Sequence, residues 1–207
     1  MNHLAHFVLA ADDDYARAGT WLGDFVRGSD LSTWPYAIER AIRLHRRIDS
    51  FTDTHALMLE ARRCLPALQR RYAGILLDVY FDHLPIQHWQ RWHTTPLKDY
   101  SDSVHACLAR IAPDLPDPAG RVAHGMATHG GLTACASLAG MARVLARIGN
   151  RLSRPVALDR ALPAPISAHA TLETAFERFF PLLQGEEARY LATSSRSTLP
   201  PELSVSR

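Results

Sequence analysis

Leu77-Asp78-Val79-Tyr80-Phe81-Asp82-His83 sets two carboxylates and an imidazole inside a segment that otherwise reads as buried. Read as a helix, one face carries Ile75, Asp78, Val79, Asp82, His83 and Ile86, and Asp78 stacks one turn before Asp82. Ionised groups among aliphatic neighbours are costly to bury unless something neutralises them. A divalent cation would do so, and so would arginines in a buried ion-pair network. This stretch alone leaves both readings open.

A second stretch has the same character. Ile42-Arg43-Leu44-His45-Arg46-Arg47-Ile48-Asp49 runs on to Phe51-Thr52-Asp53. On a helix, Ile38, Ala41, Ile42, His45 and Asp49 share one stripe, so His45 and Asp49 point where the apolar residues point. A single histidine on an apolar face is commonly a satisfied core residue. Two helices with inward Asp/His sets at helical spacing favour a site.

Working outward, the chain reads as helix after helix. The opening from Met1 to Ala11 is apolar, with His3 and His6 three apart. Asp12-Asp13-Asp14 caps a helix expected from about Tyr15 to Val26, with Ala18, Trp21, Leu22 and Phe25 inward, Asp24 at its edge and Gly28 as its stop. Pro35 opens the helix of the second stretch. Thr52 or Asp53 caps another, with Ala56, Leu57, Leu59, Leu65 and Leu68 as core contributors. The acidic helix starts near Tyr72, bends or restarts at Pro85, and continues through Trp89 and Trp92. Tyr100, Val104, Leu108 and Ile111 form a helical repeat after Pro96, and Leu138, Met141, Leu145 and Ile148 form another after Gly130-Gly131. Leu172, Phe176, Phe179, Phe180 and Leu183 mark the last helix. The expectation is an all-α protein of about seven to nine helices, in one compact domain over 1–192, with a disordered tail over 193–207.

The 207 residues are ample for one core, and a net charge of +2 gives no reason to expect nucleic acid. Cys64, Cys107 and Cys135 lack metal-type spacing and fit a reducing, cytoplasmic setting. No apolar run is long enough for a membrane span, and the N-terminus does not read as a signal peptide.

The inward polar set is His6, Asp24, His45, Asp49, Asp53, Asp78, Asp82 and His83. Aspartate and histidine without cysteine suit Mn²⁺, Mg²⁺ or Fe²⁺ better than structural zinc. None of the seven glutamates has a histidine three residues later, which argues against a carboxylate-bridged di-iron bundle. No Gly-rich nucleotide loop is present. A helical metal phosphohydrolase remains, in which Arg46 could meet a phosphate or simply pair with an inward aspartate. Arg143, Arg147, Arg151 and Arg154, spaced by four, four and three, form a basic stripe with no acid between Ala134 and Val156. Such a stripe is either a solvated face or a surface that steers an acidic partner.

Taken together, Met1-Asn2-His3-Leu4-Ala5-His6, Gly23-Asp24-Phe25-Val26-Arg27-Gly28, His45-Arg46-Arg47-Ile48-Asp49 with Thr52-Asp53, and Leu77-Asp78-Val79 through Asp82-His83 resemble the bacterial acyl carrier protein phosphodiesterase family over residues 1–185. The resemblance implies an all-helical, distorted HD-like fold that uses Mn²⁺ or Mg²⁺. It implies removal of 4′-phosphopantetheine from holo acyl carrier protein, a partner that is strongly acidic around its modified serine. On this reading the family's essential aspartate matches Asp24. Asp24, His45, Asp49, Asp78, Asp82 and His83 are the expected ligands of one or two ions. His6 is the expected general acid, Arg46 the cation at the phosphate, and Arg143, Arg147, Arg151 and Arg154 the docking surface. The HD signature puts His directly before Asp; here Asp82-His83 reverses that order, so ligand roles do not transfer residue by residue. The rival readings are a phosphohydrolase for a nucleotide or other small phosphoester, and a non-catalytic helical binding module.

Overall fold

The computed structural model describes residues 3–67 and 69–195. Among them the chain forms ten α-helices and no strand. These are α1 (His3–Val8), α2 (Asp14–Leu22), α3 (Tyr36–Thr54), α4 (Ala56–Arg63), α5 (Ala73–Gln87), α6 (Leu97–Ile111), α7 (Ala119–Thr128), α8 (Leu138–Arg151), α9 (Pro163–Ser167) and α10 (His169–Ser195), with short 3-10 turns between several of them. The expected helix number falls short because the proline-rich stretch after Pro155 holds the five-residue α9. None of these helices is long and apolar enough to cross a membrane.

The apolar side chains form two adjoining clusters. One gathers Leu76, Leu77, Phe81 and Leu84 of α5, Met141 and Leu145 of α8, and Phe176, Phe179 and Phe180 of α10. The other gathers Trp21 and Leu22 of α2, Val104 and Leu108 of α6, and Ala119 and Ala123 of α7. Two helices serve both. From α1, Ala5, with Leu9 just past the helix end, enters the first cluster, while Leu4 and Phe7 enter the second. From α3, Leu44 and Ile48 enter the first and Ile42 the second. So α1 and α3 form the partition between the clusters, and the polar residues on them sit at the seam.

Local chemistry explains where the helices start and stop. Asp13 caps α2, accepting from the Ala16 amide at 2.8 Å, as the acidic triplet implied. The helix then ends at Leu22 rather than near Val26, and 24–28 is a loop. Two carbonyls of that loop accept from Arg46, and Gly28 has φ +82°, a left-handed conformation that suits glycine. The helix α5 is buried on nearly every side, which is why it is apolar on nearly every side. It passes through Pro85 without restarting, so Asp78, Asp82 and His83 all lie on one uninterrupted helix. Trp89 falls in a separate 3-10 turn, Trp89–Arg91, and not on a continuation of α5.

Two expected core residues are exposed. Leu59 lies on the outer side of α4, whose inward side is Met58 and Ala61. Leu138 is the first residue of α8, one turn ahead of the buried Met141–Leu145 face. Leu68 lies outside the described residues. The helix α10 runs to Ser195, past the expected boundary at 192; the rest of the expected tail, 196–207, lies outside the described residues.

Phe179 is 0% exposed and has the rings of Phe51 and His55 at centroid distances of 5.8 and 5.1 Å. Replacing it removes packing between α10 and the end of α3. Phe179→Ala should lower unfolding free energy by about 3–5 kcal/mol, read from the urea midpoint with an unchanged m-value.

Candidate functional site

The helix α3 presents His45 and Asp49 one turn apart, with His45 Nε2 3.2 Å from Asp49 Oδ2. From α1, His6 Nε2 comes within 3.0 Å of Asp49 Oδ1. The rings of His6 and His45 stack at 3.8 Å and 8°. The loop after α2 brings Asp24 in from the other side: its Oδ1 is 3.4 Å from His45 Nε2 and its Oδ2 3.4 Å from His3 Nδ1. Gly23 makes that approach possible, because a Cβ there would stand 2.3 Å from His45 Cγ.

The loop is held from α3 as well. Arg46 donates from Nη1 to the Gly28 carbonyl at 2.6 Å and from Nη2 to the Val26 carbonyl at 2.7 Å. The residue next to His45 therefore grips the loop that carries Asp24, and two of the donors expected at a phosphate lie on main-chain oxygens.

The charges are strongly coupled. Burial disfavours charge on His45, yet the Asp24 and Asp49 carboxylates overcome it and push its pKa up to about 9. Burial, aided by the charge on His45, pushes His6 down to about 4, against the pull of Asp49. Burial also works against Asp49, but the His45 imidazole beside it and a hydrogen bond with His6 hold it far below the usual carboxylate range. Asp24 is lowered too: burial opposes its charge, and His45 and His3 outweigh burial.

Among the described residues, His6, His45 and Asp49 offer ligand atoms all within 4.8 Å of one another. His45 Nε2 is buried and makes no well-directed hydrogen bond, although two carboxylate oxygens face it. An imidazole nitrogen between carboxylates, with a second imidazole stacked on it, fits a divalent cation with a mixed nitrogen and oxygen shell.

On α5, Asp78 feels the charge of Asp49, while Asp82 and His83 make contacts of their own. Asp82 Oδ2 accepts from the Leu4 amide at 3.4 Å, so Asp82 caps the start of α1 from a neighbouring helix. Burial pushes its pKa up to about 7. Burial also raises Asp78, and the nearby charges of Asp49 and Asp53 add to the effect. His83 Nδ1 lies 2.8 Å from the Cys135 carbonyl, to which it donates. Asp53 is exposed and pairs with Arg62. One residue of the site was not singled out from sequence. His3 lies at its mouth with its side chain 28% exposed, beside Trp21. The signal was the His3–His6 spacing, which puts both on one side of a short helix.

Fold and site define an all-helical protein with a histidine–aspartate centre at the seam of its two cores. Residues 1–183 match the family model described as acyl carrier protein phosphodiesterase, and the chain belongs to that family. It is 35% identical over 186 residues to the acyl carrier protein phosphodiesterase of Yersinia pestis, covering 88% of this chain and 95% of that one. It is 33% identical over 190 residues to the protein of the same name from Salmonella agona, covering 91% and 98%. No solved structure matches.

The raised pKa of His45 has a stability consequence. Without metal, the folded protein keeps the His45 proton up to about pH 9, whereas the unfolded chain releases it near its ordinary value of 6.5. The folded state then binds more protons over that interval, and stability falls as pH rises through it. Chelator-treated protein should lose Tm steadily between pH 7 and 9, and His45→Gln should flatten the slope. A wild-type Tm that is level across this window would contradict the clamped imidazolium.

Proposed function

We propose that this protein hydrolyses the phosphodiester joining 4′-phosphopantetheine to the serine of holo acyl carrier protein. Water adds to phosphorus, the bond from phosphorus to the serine oxygen breaks, and the serine regains a proton. The products are apo carrier and free 4′-phosphopantetheine. The observation that carries the reading is the convergence of Asp24, His45 and Asp49, with His6, from three separate motifs of a chain that belongs to this family.

The same residues support a divalent cation as cofactor, held by His6, His45, Asp49 and Asp24. A set with two imidazoles favours Mn²⁺ or Fe²⁺ over Mg²⁺, which prefers oxygen and retains water. Such an ion supplies Lewis-acid charge to the phosphoryl group. The protein's own residues do the rest. Asp49 orients both His6 and His45, and Asp24 completes the set from the solvent side. His6 is buried and neutral at pH 7, which suits a ligand better than a proton donor. Protonation of the leaving serine oxygen then falls to a group nearer solvent; His3 is the histidine on that side, and because burial lowers its pKa too, it would have to take up a proton from solvent before passing it on. Asp82 supports the site from behind, through the start of α1.

Incubation with holo acyl carrier protein and Mn²⁺ should convert the carrier to its apo mass. Asp24→Asn should reduce the rate well beyond tenfold, as loss of an essential ligand commonly does. Mn²⁺ titration followed by electron paramagnetic resonance should show His45→Gln losing most of its affinity, whatever its activity. Conversion at more than about a tenth of the wild-type rate by Asp24→Asn would remove that carboxylate from the chemistry.

The basic stripe supports the partner. Arg143, Arg147 and Arg151 are exposed on α8, and Arg154 is exposed just past its end. None of the four side chains has a hydrogen bond or ion pair among the described residues, and 118–158 contains no aspartate or glutamate. The stripe lies on the side of α8 opposite Met141 and Leu145, which face the core. Rim charges act mainly on encounter rate and salt dependence. Arg147→Glu with Arg151→Glu should raise KM for the holo carrier at low salt and leave kcat nearly unchanged. An unchanged KM would return the stripe to the role of a solvated face.

A further inference from the structure

A phosphodiester anion needs a cation close to the reacting phosphorus. Most arginines near the centre are already committed. Arg46 has two donors on the carbonyls of Val26 and Gly28. Arg43 pairs with Glu39 and reaches the Ser29 carbonyl. Arg47 pairs with Glu186, Arg62 with Asp53, and Arg17 with Asp12 and the Ser103 hydroxyl. Arg40 lacks a polar partner for Nε, but it lines a separate cavity of about 90 Å³ with Ala10, Ala16 and Leu191. It precedes His45 by five residues and so faces another side of α3.

Arg27 is different. It is exposed and has no hydrogen bond or ion pair among the described residues. It follows Asp24 by three residues, which puts its Cα within roughly 11 Å of that of Asp24. The carbonyls on either side of it, of Val26 and Gly28, are the two that Arg46 holds. The main chain at Arg27 is thus fixed while its guanidinium stays uncommitted.

We infer that Arg27 contacts the phosphate of the bound diester, and that Arg46 is a positioning residue fixing the loop that carries Arg27 and Asp24. The inference rests on the phosphodiesterase reading for the identity of the ester, though not for the binding of phosphate itself.

The test uses the full chain loaded with Mn²⁺, with inorganic phosphate as the probe in calorimetry and holo carrier in kinetics. Arg27→Gln should weaken phosphate binding roughly ten- to hundredfold, with Tm and Mn²⁺ affinity unchanged. Arg27→Lys should recover part of the loss, since a point charge still meets the anion. Arg46→Gln should lower kcat/KM and also speed trypsin cleavage after Arg27, because the loop is no longer held. Arg46→Lys should rescue neither effect, because an ammonium cannot bridge two carbonyls as the fork does. Phosphate affinity unchanged in Arg27→Gln overturns the inference, as does wild-type protein that binds no phosphate. Weakened phosphate binding in Arg46→Gln with an unchanged trypsin rate also overturns it, and assigns the anion to Arg46. If the wild type binds phosphate yet leaves holo carrier intact, the phosphodiesterase reading fails while the role of Arg27 still stands on the calorimetry.

Discussion

His45 is an imidazole enclosed between two carboxylates, with a second imidazole on its face and the hydrogens of a glycine against its ring. Its geometry constrains four segments at once. The residue that ends α2, Gly23, must be glycine, since any side chain there would collide with the ring. The chain that follows must return Asp24 to the ring and then be held in that path, which Arg46 does from the next position on α3. The helix α1 must lie flat enough on α3 to stack His6 on His45. Asp49, one turn on, must stay ionised to hold both rings, and both rings keep it so.

The carboxylates of α5 meet the cost of burial in another way. Asp82 is met by amide N–H groups at the start of α1, its Oδ1 has no hydrogen-bond partner among the described residues, and burial leaves it titrating near neutrality. It thereby ties α5 to the segment that delivers His3 and His6. The same residue types serve as a charge clamp on α3 and as a cap for another helix on α5. The difference comes from what faces them, since the spacing on the two helices is the same.

That contrast shows what could be read from sequence and what could not. Inward His45 and Asp49, the capping aspartates of α2, the Phe-rich face of α10 and the all-α class follow from periodicity, because burial follows the helical repeat. Which inward acids share a centre does not, because it depends on how helices cross. Asp78 and Asp82 have the same spacing as His45 and Asp49, yet Asp82 accepts from a backbone amide of α1. The need for glycine at 23 was legible only in retrospect: Gly23 reads as an ordinary helix residue until the ring it must accommodate is known. Arg46 likewise reads as a phosphate ligand or a salt bridge, and its actual partners are carbonyls 18 and 20 residues away, which no side-chain pattern records.

The two clusters of apolar side chains share α1 and α3, and the centre sits on those same helices. Packed interiors transmit displacement because they have little free volume. A methyl group gained or lost on the α6–α7 side, or on the α8–α10 side, therefore reaches His6 and His45 through their own backbone. Mutational tolerance at this centre is limited from both directions, and drift in either core requires compensation in the other. At 33–35% identity to relatives over most of the chain, most positions have changed. Such divergence around a seam is most easily reached by paired substitutions across it, so the history of this protein should be written in coupled changes more than in independent ones.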